Sequence, residues 1–464
     1  MSAKFQDPVA IVGGGLVGAL LAALLVRRGH AVTVYERRPD FREHAASAGG
    51  RSINLVLTRR GIRALERVGL AEGAMALTVR VIGRMVHALD GRLVFQPYGR
   101  DATECNHSIS RSGLNRFLVD AAGQRGARFR FGARLVGADP WAGRLTFEDE
   151  IAGGTFEVES PVVFAADGAG SVLRDAMRAG GGFEESFEKL SHGYKELTIP
   201  PASDGGFLAA ADALHIWPRG ALMLMALPNL DGTFTATLYL PWEGEHGFAA
   251  LTAPEKVEGL FREQFPDAVA LIPRLTEEFF DHPTGSLGTL RCAPYHVGGR
   301  ALLIGDAAHP IVPFFGQGMN TGFEDCRVLD DLLDAHGDEA WDRVFAEFTR
   351  LRKPNADAIA DMALENFVEM RDRVGDARFV LRKSVEHRLE QNMPKVYRSR
   401  YSMVMYSHIP FRLAYEAGRL QHELLDEFCD GLGRAEDLDL AAARRAIDER
   451  LTPFLEGHGI SLDY

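Results

Sequence analysis

The chain of 464 residues has little cysteine and no long apolar run. Its four cysteines form no C-x-x-C pair and no short spacing, so neither a disulfide framework nor a cysteine metal site is predicted. The best apolar run, Leu16 to Val26, is too short to cross a bilayer, and the polar N-terminus has no signal-peptide pattern. We therefore expect a cytoplasmic protein with no membrane partner.

Excess positive charge is also missing. The formal net charge is −12, and no segment gathers Lys and Arg into a basic stripe. Nucleic-acid phosphates would be repelled, so we expect no nucleic-acid partner. The histidines form no H-x-x-x-H pair and there is no G-x-S-x-G elbow, so neither a metal site nor a serine hydrolase site is predicted. The expected partner is a small molecule, and the sequence leaves a homodimer open.

What is present begins with a dinucleotide-binding pattern. A strand predicted over Val9–Val12 leads into Gly13-Gly14-Gly15-Leu16-Val17-Gly18 and an apolar helix, which is G-x-G-x-x-G in the context it requires. The first glycine of the pattern permits the tight turn, the second lets backbone approach a pyrophosphate, and the third allows close helix packing. A second strand ends on Glu36, whose carboxylate would accept from ribose hydroxyls and repel a 2′-phosphate. The site should therefore hold FAD or NAD rather than NADP.

Two further strand-to-helix junctions carry an acid. One apolar strand breaks on Asp167-Gly168, and another ends at Gly305-Asp306, ahead of a glycine-edged helix start at Gly318-Met319-Asn320. An acid at a strand end can accept hydrogen bonds from ribityl or ribose hydroxyls. The helix start can face the pyrimidine side of a flavin, where reduction places negative charge. The three motifs together favour an FAD site over an ordinary glycine-rich turn.

In this order the motifs resemble those of the flavin-dependent aromatic hydroxylases of the para-hydroxybenzoate hydroxylase type. Two departures are Ala165, where that family usually has Gly, and Leu173, where it usually has Val. The resemblance implies an α/β fold with a Rossmann-like FAD-binding domain, an inserted β-rich substrate domain and a C-terminal helical region. We predict the FAD-binding domain over residues 1–75, 103–180 and 288–335, the substrate domain over 76–102 and 181–287, and the helical region over 336–464. Strand-like runs such as Leu222–Leu227 and helical periodicity from about Leu333 agree with this division.

Longer phrases narrow the resemblance. Segments such as Gly83-Arg84-Met85-Val86-His87 and Glu365-Asn366-Phe367-Val368-Glu369-Met370 are similar to those of the kynurenine 3-monooxygenase family. The charged segment 430–464 is similar to the family's soluble bacterial branch. This resemblance implies hydroxylation of L-kynurenine to 3-hydroxy-L-kynurenine with NADPH and dioxygen, through a flavin 4a-hydroperoxide, in tryptophan and kynurenine metabolism. It also implies tightly bound FAD and NADPH as a transient co-substrate; no second glycine fingerprint marks an NADPH site.

The resemblance assigns the substrate residues by position. Arg84 is the expected anchor of the substrate carboxylate, and Tyr98 adds a hydroxyl donor. Asn366 and Tyr401 are expected to reach the polar end of the substrate from the C-terminal helices. The expected apolar lining consists of Phe314 and Phe315 beside the flavin ring and Met370 in the substrate slot, with Leu224 and Leu227 as weaker candidates.

The resemblance and the motifs together assign the cofactor residues. The expected set is Gly13, Gly15, Val17, Gly18, Glu36, Arg37, Arg38, Leu55, Arg111, Leu135, Asp167, Gly305, Asp306, Gly318, Met319 and Asn320. Arg111 is expected at the FAD pyrophosphate or the flavin edge.

No catalytic acid or base is assigned. The amino group of kynurenine already activates its ring, so the reaction needs orientation more than an enzymic base, and Phe315 stands where some bacterial relatives have His. One alternative is a monooxygenase for another aromatic acid of the salicylate or hydroxybenzoate kind, for which no base is placed to form the phenolate. The other is a carrier or escort of related fold without flavin chemistry, which a colourless purified protein would favour.

Overall fold

The structure, a computed structural model, describes residues 8–42, 54–370 and 377–463. Its strands are β1 (Val9–Val12), β2 (Val32–Glu36), β3 (Asn54–Leu57), β4 (Thr78–Val81), β5 (Gly83–His87), β6 (Leu93–Pro97), β7 (Asn106–Ser110), β8 (Arg128–Phe131), β9 (Ala133–Asp139), β10 (Arg144–Asp149), β11 (Thr155–Glu159), β12 (Val162–Ala165), β13 (Glu184–Ile199), β14 (Ala213–Arg219), β15 (Leu222–Pro228), β16 (Phe234–Pro241), β17 (Gly285–Ala293), β18 (His296–Val297) and β19 (Ala301–Leu303). Its helices are α1 (Leu16–Arg27), α2 (Arg59–Arg67), α3 (Ala71–Met75), α4 (Arg111–Gln124), α5 (Val172–Ala179), α6 (Pro254–Gln264), α7 (Leu275–Asp281), α8 (Gly318–His336), α9 (Trp341–Val368), α10 (Ala377–Asn392), α11 (Arg400–Tyr406), α12 (Phe411–Phe428), α13 (Leu440–Arg450) and α14 (Thr452–Gly457).

The chain divides into two compact units. The first comprises the described residues of Met1–Thr78, Ile109–Leu190 and Leu287–Asp357; the second comprises those of Val79–Ser108, Ser191–Ser286 and Ala358–Tyr464. The domain boundaries expected from the sequence stay a prediction.

The first unit is built on a six-stranded sheet. Its order is β18-β19-β12-β1-β2-β8, and the five strands from β19 to β8 are parallel. The strands β1 and β12 are apolar and buried along their whole length, as strands covered on both faces should be. Because β19, β12 and β1 are adjacent and parallel, the three predicted motifs follow neighbouring strands at the same edge of the sheet. This arrangement confirms the expected α/β class.

The second unit contains most of a seven-stranded sheet. Its order is β17-β13-β16-β15-β14-β5-β6. The pairs β13–β16, β16–β15, β15–β14 and β5–β6 are antiparallel, and β14 and β5 are parallel. Trp217, Leu224 and Leu238 on one face of this sheet form a core with apolar residues of α6 and α7. The predicted strand-like run over Leu222–Leu227 is confirmed as β15.

Helices dominate the chain from α8 onward, as predicted. The helical periodicity on either side of Pro354 belongs to one helix, α9, which contains this proline in its interior. Proline removes one helical hydrogen bond without ending the helix here. No helix of the described residues has the length and apolarity needed to span a bilayer.

The four cysteines, Cys105, Cys292, Cys326 and Cys429, are free and buried. Burial raises the pKa of the Cys292 thiol to about 12 and also raises the pKa of Cys326 and Cys429. Within the described ranges, no group of His, Cys, Asp and Glu side chains is arranged to hold a metal ion.

Candidate cofactor and substrate sites

The turn after β1 uses its glycines for two different purposes. Gly13 has a φ of +100°, and a Cβ there would lie 2.4 Å from the carbonyl oxygen of Ala166. A Cβ on Gly18 would lie 2.0 Å from the carbonyl oxygen of Gly13. A Cβ on Gly15, in contrast, would meet no atom within 4 Å. Two glycines therefore permit backbone packing inside the protein, and the third borders open space.

The helix α1 begins at this open space. Gly15 is its N-cap, with no side-chain capping bond and no acidic residue in the first turn. The first N–H groups of a helix lack helical partners and carry partial positive charge, so an uncapped start attracts an anion. Space and charge at Gly15 fit the pyrophosphate of a dinucleotide.

Glu36 ends β2 and lies 4% exposed beside this turn. Its Oε2 accepts from the Gly14 N–H at 2.7 Å, and its Oε1 accepts from the backbone N–H and the Nε of Arg38 at 2.9 and 2.8 Å. Burial alone would raise the pKa of Glu36, but these bonds and the charge of Arg38 lower it below its usual value. Glu36 is therefore a carboxylate; its Oε2 also accepts from Arg38 Nη2 at 3.3 Å, so a ribose hydroxyl would take the place of a contact with this exposed arginine.

Asp167 follows β12 with half of its carboxylate unused. Its Oδ2 accepts from the Val172 N–H at 3.0 Å, whereas its buried Oδ1 has no hydrogen-bond partner among the residues that the structure describes. Burial raises the pKa of Asp167. The same loop is held by Arg174, which donates to the carbonyls of Ala169 and Ala307 at 2.7 and 3.1 Å. The Asp-Gly loop thus presents a buried acceptor and is tied to the loop that carries Asp306.

Asp306 is the third acid at this edge of the sheet. It lies in the short turn Gly305–Ala307 and is exposed, although both neighbours are buried. Surrounding protein raises its pKa, and the positive charge of Arg111, an exposed residue at the start of α4, opposes the rise. The Asp306 side chain is therefore accessible to a ligand, and the charge of Arg111 acts on its carboxylate.

The start of α8 is a second uncapped helix N-terminus. It follows Gly316, which has a φ of +66°, and has no acidic residue in its first turn. The side chain of Asn320 is fully buried: Nδ2 donates to Val56 O at 2.8 Å and to Gly316 O at 3.0 Å, and Oδ1 accepts from Thr58 N at 3.0 Å. The amide of Asn320 thus holds β3 near the helix, so its expected part in cofactor binding would come from its backbone.

The other predicted cofactor residues differ in their exposure. Val17 packs on two glycines, since a Cβ on Gly305 or Gly322 would lie 3.0 or 2.5 Å from its Cγ2. Met319 and Leu135 are buried, and Leu135 belongs to the core of this unit. The remaining predicted residues are half-buried or exposed: Leu55, Arg37 and Arg38.

A buried ionic network holds the Gly305 loop. Asp325 accepts from the Gly305 N–H at 3.0 Å and from His309 Nε2 at 2.7 Å through Oδ2, and from Arg352 Nε at 2.6 Å through Oδ1. Arg352 also donates to Glu324 at 2.7 Å, and Arg60 donates to the other Glu324 oxygen at 2.8 Å. The five side chains of this network are no more than 6% exposed.

The neighbouring basic side chains keep Glu324 and Asp325 ionised. Burial alone would raise the pKa values of both acids. The charges of Arg60 and Arg352 bring that of Glu324 to about 2, and those of His309 and Arg352 bring that of Asp325 to about 2. Sequence reasoning missed the network, because charged residues on a helix usually face water. The adjacent acids Glu324 and Asp325, which lie between Phe323 and Cys326 on α8, are the signal that the sequence offers.

In the second unit, Arg84 lies on β5 opposite Gln96 on β6. Arg84 Nε donates to Gln96 Oε1 at 2.7 Å, which directs this side of the guanidinium and leaves the two terminal nitrogens to form a fork. Sequence reasoning missed Gln96. The alternation of a strand could have indicated it, because Gln96 and Tyr98 are two residues apart and share a face of the sheet.

Two tyrosines complete a polar cluster with Arg84. The rings of Tyr98 and Tyr401 stack with centroids 5.4 Å apart at 24°, and Asn106 Nδ2 donates to Tyr401 Oη at 2.9 Å. Burial raises the pKa of Tyr401 to about 12 and that of Tyr98 well above its usual value, while the charge of Arg84 acts on both in the opposite direction. Both hydroxyls are therefore protonated at neutral pH.

The predicted apolar lining residues do not share one surface. Leu224 and Leu227 are three positions apart in β15, so their side chains point to opposite faces of the sheet. Leu224 is fully buried in the core with α6 and α7, whereas the register through β14 places Leu227 on the face of Arg84. Of these two candidates, only Leu227 faces the side of the polar cluster.

The remaining predicted substrate residues lie in both units. Asn366 is half-buried near the end of α9, and its Nδ2 contacts the Sδ of the buried Met370 at 3.4 Å. Both belong to the second unit, with Arg84. Phe314 and Phe315 are buried in a short turn of the first unit, Pro313–Phe315.

The architecture of the first unit is that of FAD-binding α/β proteins. The FAD binding domain family matches residues 6–363 of the chain. A solved oxygenase for 2-methyl-3-hydroxypyridine-5-carboxylic acid, in its tetrameric form, superposes with a TM-score of 0.65 over 85% of this chain and 99% of that chain. At 19% identity, this likeness concerns the fold alone.

Relatives that match over nearly the full chain identify the family within the FAD-binding proteins. The chain is 52% identical over 459 residues to kynurenine 3-monooxygenase of Myxococcus xanthus, a match that covers 99% of this chain and 98% of the relative. It is 46% identical over 458 residues to kynurenine 3-monooxygenase of Xanthomonas axonopodis pv. citri, with 99% and 100% covered. The chain belongs to the kynurenine 3-monooxygenase family, and the resemblance predicted from its sequence is confirmed.

Proposed function

We propose that the chain is an FAD-dependent monooxygenase that hydroxylates L-kynurenine to 3-hydroxy-L-kynurenine with NADPH and dioxygen. The observation that carries the substrate class is the cluster of Arg84, Tyr98 and Tyr401, a cation with two hydroxyl donors. The names and full-length identity of the relatives support the particular reaction.

The first unit fits bound FAD. The open start of α1 at Gly15 has room and charge for the pyrophosphate, and Glu36 offers acceptors to ribose hydroxyls while repelling a 2′-phosphate. The unused Oδ1 of Asp167 and the exposed Asp306 offer acceptors to further cofactor hydroxyls. When bound, FAD supplies the activation of dioxygen that no side chain can provide.

The second unit fits an aromatic amino acid. The terminal nitrogens of Arg84 form a planar fork that suits the α-carboxylate, and such charge-assisted bonds contribute about 1.5–3 kcal/mol each. Tyr98 and Tyr401 add neutral donors. Leu227 and Met370 offer apolar surface to the ring. In this proposal the chain binds and orients the substrate, and the amino group on the ring supplies the electron density that hydroxylation needs.

The finer assignments belong to this proposal as well. The family and its fold support NADPH as the reductant, bound transiently, and a cytoplasmic location agrees with the lack of a bilayer-spanning helix in the described residues. Light scattering of the purified protein would test whether it forms a homodimer.

The test is NADPH oxidation by the purified yellow protein with and without L-kynurenine, with the product identified by mass and its regiochemistry by NMR. We expect kynurenine to stimulate oxidation and to yield the 3-hydroxylated product. A yellow protein that ignores kynurenine but responds to salicylate or hydroxybenzoate would overturn the substrate, and a colourless protein would favour the escort alternative.

A matched pair of arginines tests the anchor. Arg84→Ala should raise the KM for L-kynurenine at least about 10-fold while FAD stays bound, because a charge-assisted pair is lost. Arg92→Ala, on the turn that joins the same two strands, removes an arginine that is 73% exposed and should leave the KM unchanged. Equal KM values in the two variants would contradict the assignment of Arg84.

A further inference from the structure

Gln96 lies directly opposite Arg84 in the antiparallel pair of β5 and β6, so the two side chains share one face of the sheet. The other strand beside β5 is β14, whose register places the apolar Leu214 next to Arg84. Val86, two residues further along β5, is on the same face and is also apolar. Of these three neighbours in the sheet, Gln96 is the polar one.

The chemistry of the two side chains fixes which end of the Gln96 amide faces Arg84. A guanidinium has donors and no acceptor, so the atom that Arg84 Nε contacts at 2.7 Å has to be the amide oxygen, Oε1. Both side chains are half-buried, and this bond holds the Nε side of the guanidinium toward β6. The two terminal nitrogens remain in one plane, which suits a bidentate contact with a carboxylate.

The partner of Arg84 is neutral, unlike the partner of two other arginines in the second unit. Arg100 and Arg398 donate to the carboxylate of Glu104 at 2.8 and 2.5 Å. Among the described residues, no salt bridge joins Arg84 to a carboxylate. A half-buried cation beside apolar side chains is screened less by water, so Arg84 retains a strong attraction for an anion from outside the protein.

We infer that Gln96 determines the charge specificity of the polar cluster around Arg84. Its neutral amide directs the guanidinium without cancelling the positive charge, which is left for the carboxylate of the substrate. The inference rests on the proposed function and adds a residue that neither the sequence motifs nor the family resemblance assigned. What selects the carboxylate is the neutrality of this partner, and not only the hydrogen bond that it accepts.

Two substitutions at Gln96 separate its charge from its hydrogen bond. Gln96→Glu keeps an oxygen acceptor and adds a negative charge, whereas Gln96→Leu removes the acceptor and adds no charge. The Kd for L-kynurenine is measured by calorimetric titration of the protein with FAD bound and without NADPH. It should rise at least about 10-fold in Gln96→Glu, because an internal ion pair replaces the one with the substrate, and about 2- to 5-fold in Gln96→Leu. A Gln96→Glu variant that binds more tightly than Gln96→Leu would overturn the inference.

A substrate analogue supplies a readout that a purely structural role of Gln96 would not move. The decarboxylated form of kynurenine keeps the ring, the ketone and the ammonium group but has no carboxylate for Arg84. Gln96→Glu should leave the Kd of this analogue unchanged or lower it. The ratio of the Kd of the analogue to the Kd of kynurenine should therefore fall at least about 10-fold. A structural defect would weaken both ligands alike, so an unchanged ratio would contradict the role of Gln96.

Leu93→Glu is the matched control for the added charge. Leu93 is 56% exposed on the same strand as Gln96, but an odd number of residues away and therefore on the opposite face. Three residues of a strand span about 10 Å, which exceeds the screening length of about 8 Å at physiological salt. Both Kd values should stay within about twofold of wild type. A rise for kynurenine equal to that of Gln96→Glu would overturn the specific role of Gln96.

A double-mutant cycle covers the case in which Gln96→Glu does not fold. Gln96→Leu should raise the Kd for kynurenine about 2- to 5-fold when Arg84 is present, but less than about 1.5-fold in the Arg84→Ala background, because its partner is gone. Equal rises in the two backgrounds would overturn the inference.

Failure of the proposed function and failure of the inference give different results. A wild-type protein that does not bind kynurenine defeats the proposed function. A wild-type protein that binds kynurenine, with an unchanged ratio of Kd values in Gln96→Glu, defeats only the role of Gln96.

Discussion

Two pairs of acids in the first unit are both surrounded by protein that opposes their charge, but they differ in their partners. Glu324 and Asp325 are surrounded by Arg60, Arg352 and His309, and their pKa values lie at about 2. Among the described residues, no salt bridge joins Asp167 or Asp306 to a cation, and surrounding protein raises their pKa values against the weaker opposing charges of Arg174 and Arg111. An acid whose partners are all within the protein stabilises the fold. An acid that has a raised pKa and lacks a full set of hydrogen-bond partners indicates a ligand that supplies those partners.

We expect the largest change in stability from removing the cation that Glu324 and Asp325 share. Arg352→Leu would leave Glu324 and Asp325 buried without their shared cation, so the free energy of unfolding should fall by about 3–5 kcal/mol. Arg350→Leu is the matched control, because Arg350 lies on the same helix but is 68% exposed, and it should change stability by less than about 0.5 kcal/mol. Chemical denaturation followed by circular dichroism measures both. Equal losses would show that the network is not what stabilises this unit.

The glycines of the first turn sharpen the same comparison. Gly18→Ala would place a Cβ against the backbone of Gly13, so we expect a loss of about 1–3 kcal/mol in stability. Gly15→Ala points into open space and should cost less than about 1 kcal/mol, yet weaken FAD binding by crowding the pyrophosphate. Thermal unfolding and FAD titration separate the two effects. A Gly15→Ala variant with normal FAD affinity would contradict the placement of the pyrophosphate.

Asp306→Asn should weaken FAD binding without lowering the stability of the protein. The variant loses charge-assisted hydrogen bonds to FAD that contribute about 1.5–3 kcal/mol, so FAD should bind about 10- to 100-fold more weakly. Without FAD, the variant should be at least as stable as wild type, because the raised pKa shows that the protein disfavours this charge. The exposed Asp90→Asn is the control for both measurements. A destabilised FAD-free Asp306→Asn variant would place Asp306 with the structural acids.

The smallest effect is a difference in pH dependence without FAD. Asp306 has a folded pKa above its usual 3.8, so its unfavourable contribution disappears as the pH falls through that folded pKa. The stability gain of Asp306→Asn over wild type should therefore shrink on acidification. Glu324 and Asp325 have lowered pKa values, so their contribution is present above about pH 4.5 and is lost as the pH falls toward about 2. Denaturation curves at several pH values test both signs, and a gain that grows on acidification would contradict the first.

The sequence predicted the motifs that depend on neighbouring residues. The glycine turn, the acids at three strand ends and the apolar strands are local, because backbone sterics and strand burial constrain each position directly. The sheet then brings β1, β12 and β19 side by side, an order that no local pattern determines.

What the sequence could not predict depends on distant pairs. Arg60 and Arg352 resemble ordinary helix-surface arginines until the fold places both beside Glu324. Asn106 is hydrogen-bonded to Tyr401, which lies 295 residues later in the chain. Leu224 is a different case, since strand alternation alone separates it from Leu227 and would have revealed that the two cannot share one slot.

The buried cysteines have a consequence for the lifetime of such an enzyme. With FAD bound, reaction with dioxygen in the absence of substrate would expose the protein to hydrogen peroxide, which oxidises cysteine through its thiolate form. Burial raises the pKa values of Cys292, Cys326 and Cys429, so these side chains remain thiols at neutral pH. The fold thus protects these three sulfur atoms from the oxidant that its own idle turnover would generate.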